Sequence, residues 1–331
     1  MEGKIKMADG SSFTAITGFD GDVHRAFAGT GGGPSVQTQR TLKNAIHCSG
    51  IGLHSGLHVA MTLKPAESDS GIVFRRVDLP GSPEIPALWT HAIETPLCTT
   101  IVTGDVKIAT IEHLLSAFAG LEIDNCLIEI DGPEVPAMDG SSAPFVFLIE
   151  CAGIVEQRAP RRGFRILEAV EESEPHRSCL VKPAETFEMR FEIEFDSRAI
   201  GRQVFDSEID PAVYKRDVSR ARTFGFLQEV EALRQHGLAR GGSLENAVVI
   251  DGDQIMNEGG LRYTDEFVRH KALDCIGDLY LAGGPMIGRF EGIKAGHALT
   301  LRLLKSLFAR EGAVVREPLL APVAALQAES A

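Results

Sequence analysis

The chain has 331 residues, 44% hydrophobic and 24% charged, which is long enough for about two domains and excludes disorder, collagen-like repeats and coiled coil over most of its length. Lys and Arg number 33 against 46 Asp and Glu, a net charge of −13, so general nucleic-acid binding, which rests on neutralising phosphates with cations, is excluded. The six cysteines fall without a C-x-x-C pair, which argues against a thiolate zinc site and against a disulfide framework, and places the chain in a reducing compartment. Neither a signal sequence nor an apolar run approaching 18 residues is present, so the expectation is a cytoplasmic protein with no stable membrane insertion.

Taken from the start, residues 1–36 carry the run Gly29 to Pro34 and little apolar periodicity, and read as a flexible N-terminal extension rather than a phosphate loop, because no Lys-Ser/Thr pair follows. From Arg40 short strand-like stretches such as Leu57 to Leu63 and Ile72 to Val77 dominate. After Thr110, taken as N-cap, Ile111, Leu114, Leu115, Phe118 and Ala119 follow helical spacing up to a stop at Gly120. The Arg-rich stretch Arg158 to Arg165 reads as a joint. Beyond it Thr223 to Gln235 looks helical, Ala247 to Ile250 looks like a strand, and a second amphipathic helix starts near Thr264 or Asp265 and ends at Gly283, Gly284 and Pro285.

The halves echo one another. Leu63 to Glu67 (Leu-Lys-Pro-Ala-Glu) and Val181 to Glu185 (Val-Lys-Pro-Ala-Glu) each precede a histidine-bearing helix, by 49 residues to His113 and by 88 to His270. The second half therefore holds roughly 39 extra residues, placed within Arg222 to Asn257. The expected fold is α+β, two similarly built domains at 37–157 and 163–316, followed by a C-terminal tail at 317–331.

On the second helix His270 and Asp274 are one turn apart, and they share with Asp278 the face centred about 200–280° from Val268, opposite the apolar stripe. Such a face is either solvated surface or two legs of a metal site. His113 likewise lies opposite the apolar stripe of the first helix. If the helices face one another, His113, His270 and Asp274 give zinc three N/O ligands with a fourth position open, as in a catalytic site. Glu112 is then placed to act as base, His297 on a Gly-bearing turn to act as acid, and Asp278 to orient that histidine.

Seven stretches in series carry a family resemblance: Gln39 to Lys43, Gly50 to Gly56 (Gly-Ile-Gly-Leu-His-Ser-Gly), Thr110 to Leu114, Met138 to Phe145, Ser219 to Phe226, Asp265 to Lys271 and Gly296 to Leu299. They resemble the UDP-3-O-acyl-N-acetylglucosamine deacetylases, which catalyse the committed step of lipid A synthesis. The resemblance implies two α+β domains with helices sandwiched between two β-sheets and an insert in each domain, the second insert forming an apolar passage for an acyl chain. It further implies one Zn2+ per chain, with Fe2+ an alternative in the cell, on His113, His270 and Asp274. Glu112 becomes general base, His297 general acid with Asp278 as its partner, Thr223 the hydroxyl at the oxyanion, and Lys271 a charged neighbour. Phe224 and Lys294 become contacts to the sugar and phosphate part of a UDP-linked acylated glucosamine, and the expected state is a monomer. A pyrophosphate needs local positive charge in so acidic a chain, for which Arg158, Arg161, Arg162 and Arg165, with Lys271 and Lys294, are the candidates.

Overall fold

A computed structural model describes residues 4–6, 12–14, 35–95 and 97–321. Of the expected N-terminal extension, only the short antiparallel strands Lys4–Lys6 and Ser12–Thr14 and the last two residues fall within it; the glycine run at Gly29 to Pro34 and the tail beyond residue 321 lie outside. Residues Val36–Leu320 form one compact unit.

Within that unit a strand pattern occurs twice. In the first half β1 (Ile46–Ile51), β2 (His58–Pro65), β3 (Ile72–Arg76), β4 (Glu84–Pro86) and β5 (Cys126–Ile130) form a sheet of order β1-β2-β5-β3-β4. In the second, β6 (Val170–Glu174), β7 (Arg177–Lys182), β8 (Phe187–Glu194), β9 (Arg202–Glu208) and β10 (Met286–Ile293) pair as β6-β7-β10-β8-β9. The fifth strand of each set is antiparallel to the second and parallel to the third, so the Lys-Pro echo at Lys64 and Lys182 marks equivalent strands. Period-2 sequences explain the pleat: Val59, Met61 and Leu63 of β2 point into the core while their neighbours alternate outward.

Each half carries an insert. The first is a three-stranded sheet of Ala92–Ile93, Thr100–Thr103 and Val106–Ala109. The second places Phe224–Phe226 parallel to Val248–Asp251, with a helix between them and a short strand, Gln254–Ile255, after them. It occupies the interval where the spacing excess predicted it. The helix begins only at Leu227, because Phe224–Phe226 pairs as a strand.

The longer helices among the described residues are α1 (Glu112–Gly120), α2 (Ala143–Ala152), α3 (Leu227–Gln235), α4 (Glu266–Tyr280) and α5 (His297–Ala309). α1 and α4 pack on one another more extensively than any other pair of elements. Ile111 at the N-cap of α1 and Leu114, Leu115 and Phe118 within it are all buried, each contributing about 1.5–3 kcal/mol of apolar transfer. Thr110 is not the N-cap. It takes a left-handed conformation, φ 57°, and its hydroxyl donates to Glu134 Oε1 over 3.0 Å, leaving Ile111 to start the helix.

The Arg-rich joint is built from strands. Ile154–Pro160 pairs with Thr38–Leu42, and Arg162–Ile166 lies between β10 and Val314–Pro318, so strands run almost continuously through it. The last of these reaches Pro318, into the stretch read as tail. All six cysteines are free thiols; Cys98, Cys126, Cys179 and Cys275 are buried as expected of reduced core thiols, whereas Cys48 is half-buried and Cys151 exposed.

Candidate active site

α1 and α4 cross so closely that a Cβ on Gly277 would overlap the backbone carbonyl of Glu112. Only glycine fits there, and its absence of a side chain brings the two histidine-bearing faces together. The face of α4 that a solvated reading would expose is buried: His270 is 1% exposed, Asp274 5% and Asp278 3%, with His113 at 4% across the crossing.

Among the described residues His113, His270 and Asp274 offer donor atoms that all lie within 4.8 Å of one another. Asp274 Oδ1 is buried without a hydrogen-bond partner, 3.4 Å from His113 Nε2 and 3.3 Å from His270 Nε2. Donors about 2.0–2.1 Å from a tetrahedral ion stand about 3.3–3.4 Å apart, so the set fits a small divalent metal. His270 Nδ1 lies 3.1 Å from the Ala221 carbonyl, which assigns the proton to Nδ1 and leaves Nε2 free to ligate. Burial pushes His270 down to about 3, so the imidazole is neutral, as a ligand must be. Burial works against the charged form of Asp274, but the Lys271 ammonium, whose Nζ is 2.6 Å from Oδ2, helps to outweigh it and the carboxyl is held well below the usual range. Lys271 is raised in turn: burial opposes its charge, and Asp274 more than compensates.

Around these donors stand a carboxyl and an imidazole of opposite habit. Burial pushes Glu112 up to about 7. His297 is the first residue of α5 rather than part of a turn. Burial alone would lower it, but the Asp278 carboxylate, 2.8 Å from Nδ1, together with Glu112 and Asp274, lifts it to about 9. Its Nε2 faces Glu112 Oε1 at 4.0 Å and Asp274 Oδ2 at 3.9 Å.

Thr223 is delivered by two anchors. Arg222 donates from Nε, at 2.9 Å, and from its backbone to the fully buried Glu266 at the start of α4. Thr223 N–H donates to the Gly140 carbonyl over 2.7 Å. Gly140 has φ 81° and no space for a Cβ beside the Asn246 carbonyl, which accounts for the glycine in the Met138 to Phe145 stretch. Phe224 sits edge-on to His270 with ring centroids 6.2 Å apart, and Lys271 Nζ lies 6.0 Å from its ring centroid. Lys294 is not drawn into this cluster; its ammonium pairs with Glu194 at 2.7 Å.

Of the arginines of the joint, Arg161 is buried against Glu122 and Asp124, at 2.8 and 3.0 Å, and Arg165 pairs with Glu317 at 2.5 Å.

Three residues without an assigned role also converge here. Glu134 accepts the backbone N–H groups of His54 and Ser55, each at 2.8 Å, and so fixes the loop of the Gly50 to Gly56 stretch. The His54 imidazole is lowered mainly by burial. Thr99 touches both Glu112 and the Asp278–His297 pair. The glycines flanking His54 were the one signal in the sequence for that loop; an isolated threonine at a strand start gives none.

A buried two-histidine, one-aspartate donor set, with a carboxyl near neutrality on one side and a charged imidazole on the other, has the make-up of a metal-dependent hydrolase. Residues 39–309 match the LpxC family, UDP-3-O-acyl N-acetylglycosamine deacetylase. The UDP-3-O-acyl-N-acetylglucosamine deacetylases of Acidithiobacillus ferrooxidans and Pseudomonas entomophila are each 52% identical to the chain over 277 residues, covering 83% of it and 91% of their own length. That of Stenotrophomonas maltophilia is 50% identical over 273 residues, 82% of this chain and 90% of its own. The chain belongs to this family of deacetylase enzymes. Among the described residues no helix is long and apolar enough to cross a membrane.

Proposed function

We propose that the protein hydrolyses the 2-acetamido group of UDP-3-O-acyl-N-acetylglucosamine, releasing acetate in the committed step of lipid A synthesis, with one zinc ion per chain on His113, His270 and Asp274. The observation that carries this reading is the unpartnered Asp274 Oδ1 between two Nε2 atoms, flanked by Glu112 and His297. A divalent ion bound there supplies Lewis acidity toward the amide carbonyl and a lowered pKa for water; a His₂Asp set accepts Fe2+ as well as Zn2+.

The protein's own groups do the rest. Glu112 takes the proton of the attacking water, and the Thr223 hydroxyl donates to the oxygen on which charge develops. His297 Nε2 gives its proton to the departing amine nitrogen, while Asp278 holds Nδ1–H and so the ring's orientation. Lys271 keeps Asp274 ionised. Phe224 lies beside the ligand set as a sugar contact. Lys294 meets a phosphate by giving up Glu194, an exposed partner that solvent screens. The second insert, which presents Leu227, Leu244 and Met256 to solvent, supplies the apolar passage for the acyl chain. The reading carries with it a monomeric enzyme of the cytoplasm, in two domains at 37–157 and 163–316.

The base works deprotonated and the acid protonated, so kcat/KM should rise with pH through about 7 and fall through about 9. Removing the Asp278 charge lowers the His297 pKa, so Asp278→Asn should move the alkaline limb to lower pH. A pH–rate profile with an unmoved alkaline limb would contradict the pairing. The substrate assignment is tested by acetate release from the acylated UDP-sugar against UDP-N-acetylglucosamine. Loss of the buried acyl chain should lower kcat/KM at least about hundredfold. Equal values for the two would remove the acyl passage from the account.

A further inference from the structure

The first insert delivers Thr99 to the centre of the site, at the entry to the strand Thr100–Thr103 and buried. Its backbone N–H donates to Glu112 Oε2 over 3.0 Å. Its hydroxyl donates to Asp278 Oδ1, because a carboxylate oxygen only accepts. With its proton aimed there, the hydroxyl oxygen presents lone pairs to His297 Nδ1 at 3.1 Å, beside Asp278 Oδ2 at 2.8 Å. One residue thus touches the carboxyl on α1, the carboxylate on α4 and the imidazole on α5. We propose that Thr99 is a positioning residue that holds the Asp278–His297 pair and Glu112 in a single geometry, with the imidazole's Nε2 turned toward the reacting atoms. This rests on the roles given above to Glu112 and His297.

A purely space-filling threonine would leave the hydroxyl replaceable. The cavity that Thr99 shares with Ile93, Asp278, Leu281, His297 and Leu301 measures about 10 Å³, so at most one water stands beside the hydroxyl, and a positioning role is read from the loss of the hydroxyl alone. In Thr99→Val the shape and the N–H to Glu112 persist, and only the hydroxyl is lost. His297 then keeps one acceptor, and Asp278 Oδ1 loses its donor.

The test is steady-state acetate release with bound metal measured on the same samples. Thr99→Val should lower kcat about 10–100-fold with KM within about twofold and one metal ion per chain, and Thr99→Ser, which restores the hydroxyl, should recover most of the rate. Thr99→Ala is scored in the same way if the valine variant does not accumulate folded. A valine variant with parental kcat, a loss confined to KM, or a serine variant as slow as valine would each overturn the proposal. If the parent itself releases no acetate, the functional reading fails instead. Thr99 is then judged on metal-free protein labelled with ¹⁵N-histidine: the His297 Nδ1–H resonance should shift between parent and Thr99→Val, and identical spectra would overturn the proposal.

Discussion

Glu112→Gln is expected to retain one metal ion per chain and to lose about 10²–10⁴-fold in kcat. The prediction follows from where the carboxyl sits. It neighbours His113 in sequence but is not in the candidate donor set, and its Oε2 is engaged by the Thr99 N–H, which a glutamine carbonyl also satisfies. The substitution therefore preserves shape and the hydrogen bond while removing the one atom that can take a proton from water. Metal content after dialysis and kcat on the same preparation check it. Parental turnover would remove Glu112 as base, whereas loss of metal would make it part of the ligand environment.

The second large effect is expected at a residue that bears no functional group. Gly277→Ala places a methyl against the Glu112 backbone, and backbone cannot swing aside as a flexible side chain would. The cost of overpacking is about 1–3 kcal/mol or more, met by α1 and α4 moving apart. Because His113 and Glu112 ride on α1, and His270 and Asp274 on α4, a shift of about 1 Å is expected to lower kcat roughly hundredfold and to weaken metal retention. Gly259→Ala, where nothing lies within 4 Å of the added carbon, is the control and should behave as the parent. Activity and metal content of Gly277→Ala equal to those of the control would show that the helix crossing does not set the site.

Much of this arrangement was legible in the sequence, for reasons that differ from residue to residue. His270, Asp274 and Asp278 were visible as a group because a helix repeats every 3.6 residues, so side chains three and four apart share a face. That their face is buried rather than solvated depends on Gly277 and on the partner helix, neither of which leaves a periodic trace. The second insert showed itself as an excess of chain between two echoed landmarks, yet Phe224–Phe226 was hidden inside a helical pattern, since propensity gives way to pairing with Val248–Asp251. Thr110 fitted the preferences of an N-cap, and the nearby Glu134 carboxylate claimed its hydroxyl instead. Arg161 and Arg165 looked like part of a free basic patch because charge pairing across 37 and 152 residues of sequence is invisible until the chain is folded. Thr99 was missed for the same reason: its partners lie 13, 179 and 198 residues away.

The central claim is that the His113, His270 and Asp274 cluster holds the ion on which amide hydrolysis depends. The most direct measurement is acetate released from UDP-3-O-acyl-N-acetylglucosamine by metal-stripped protein as Zn2+ is titrated back. The account predicts no release from the stripped protein and a rate that rises in proportion to added metal until about one ion per chain is bound. Acetate release that is indifferent to metal, or none from the fully loaded chain, would contradict it.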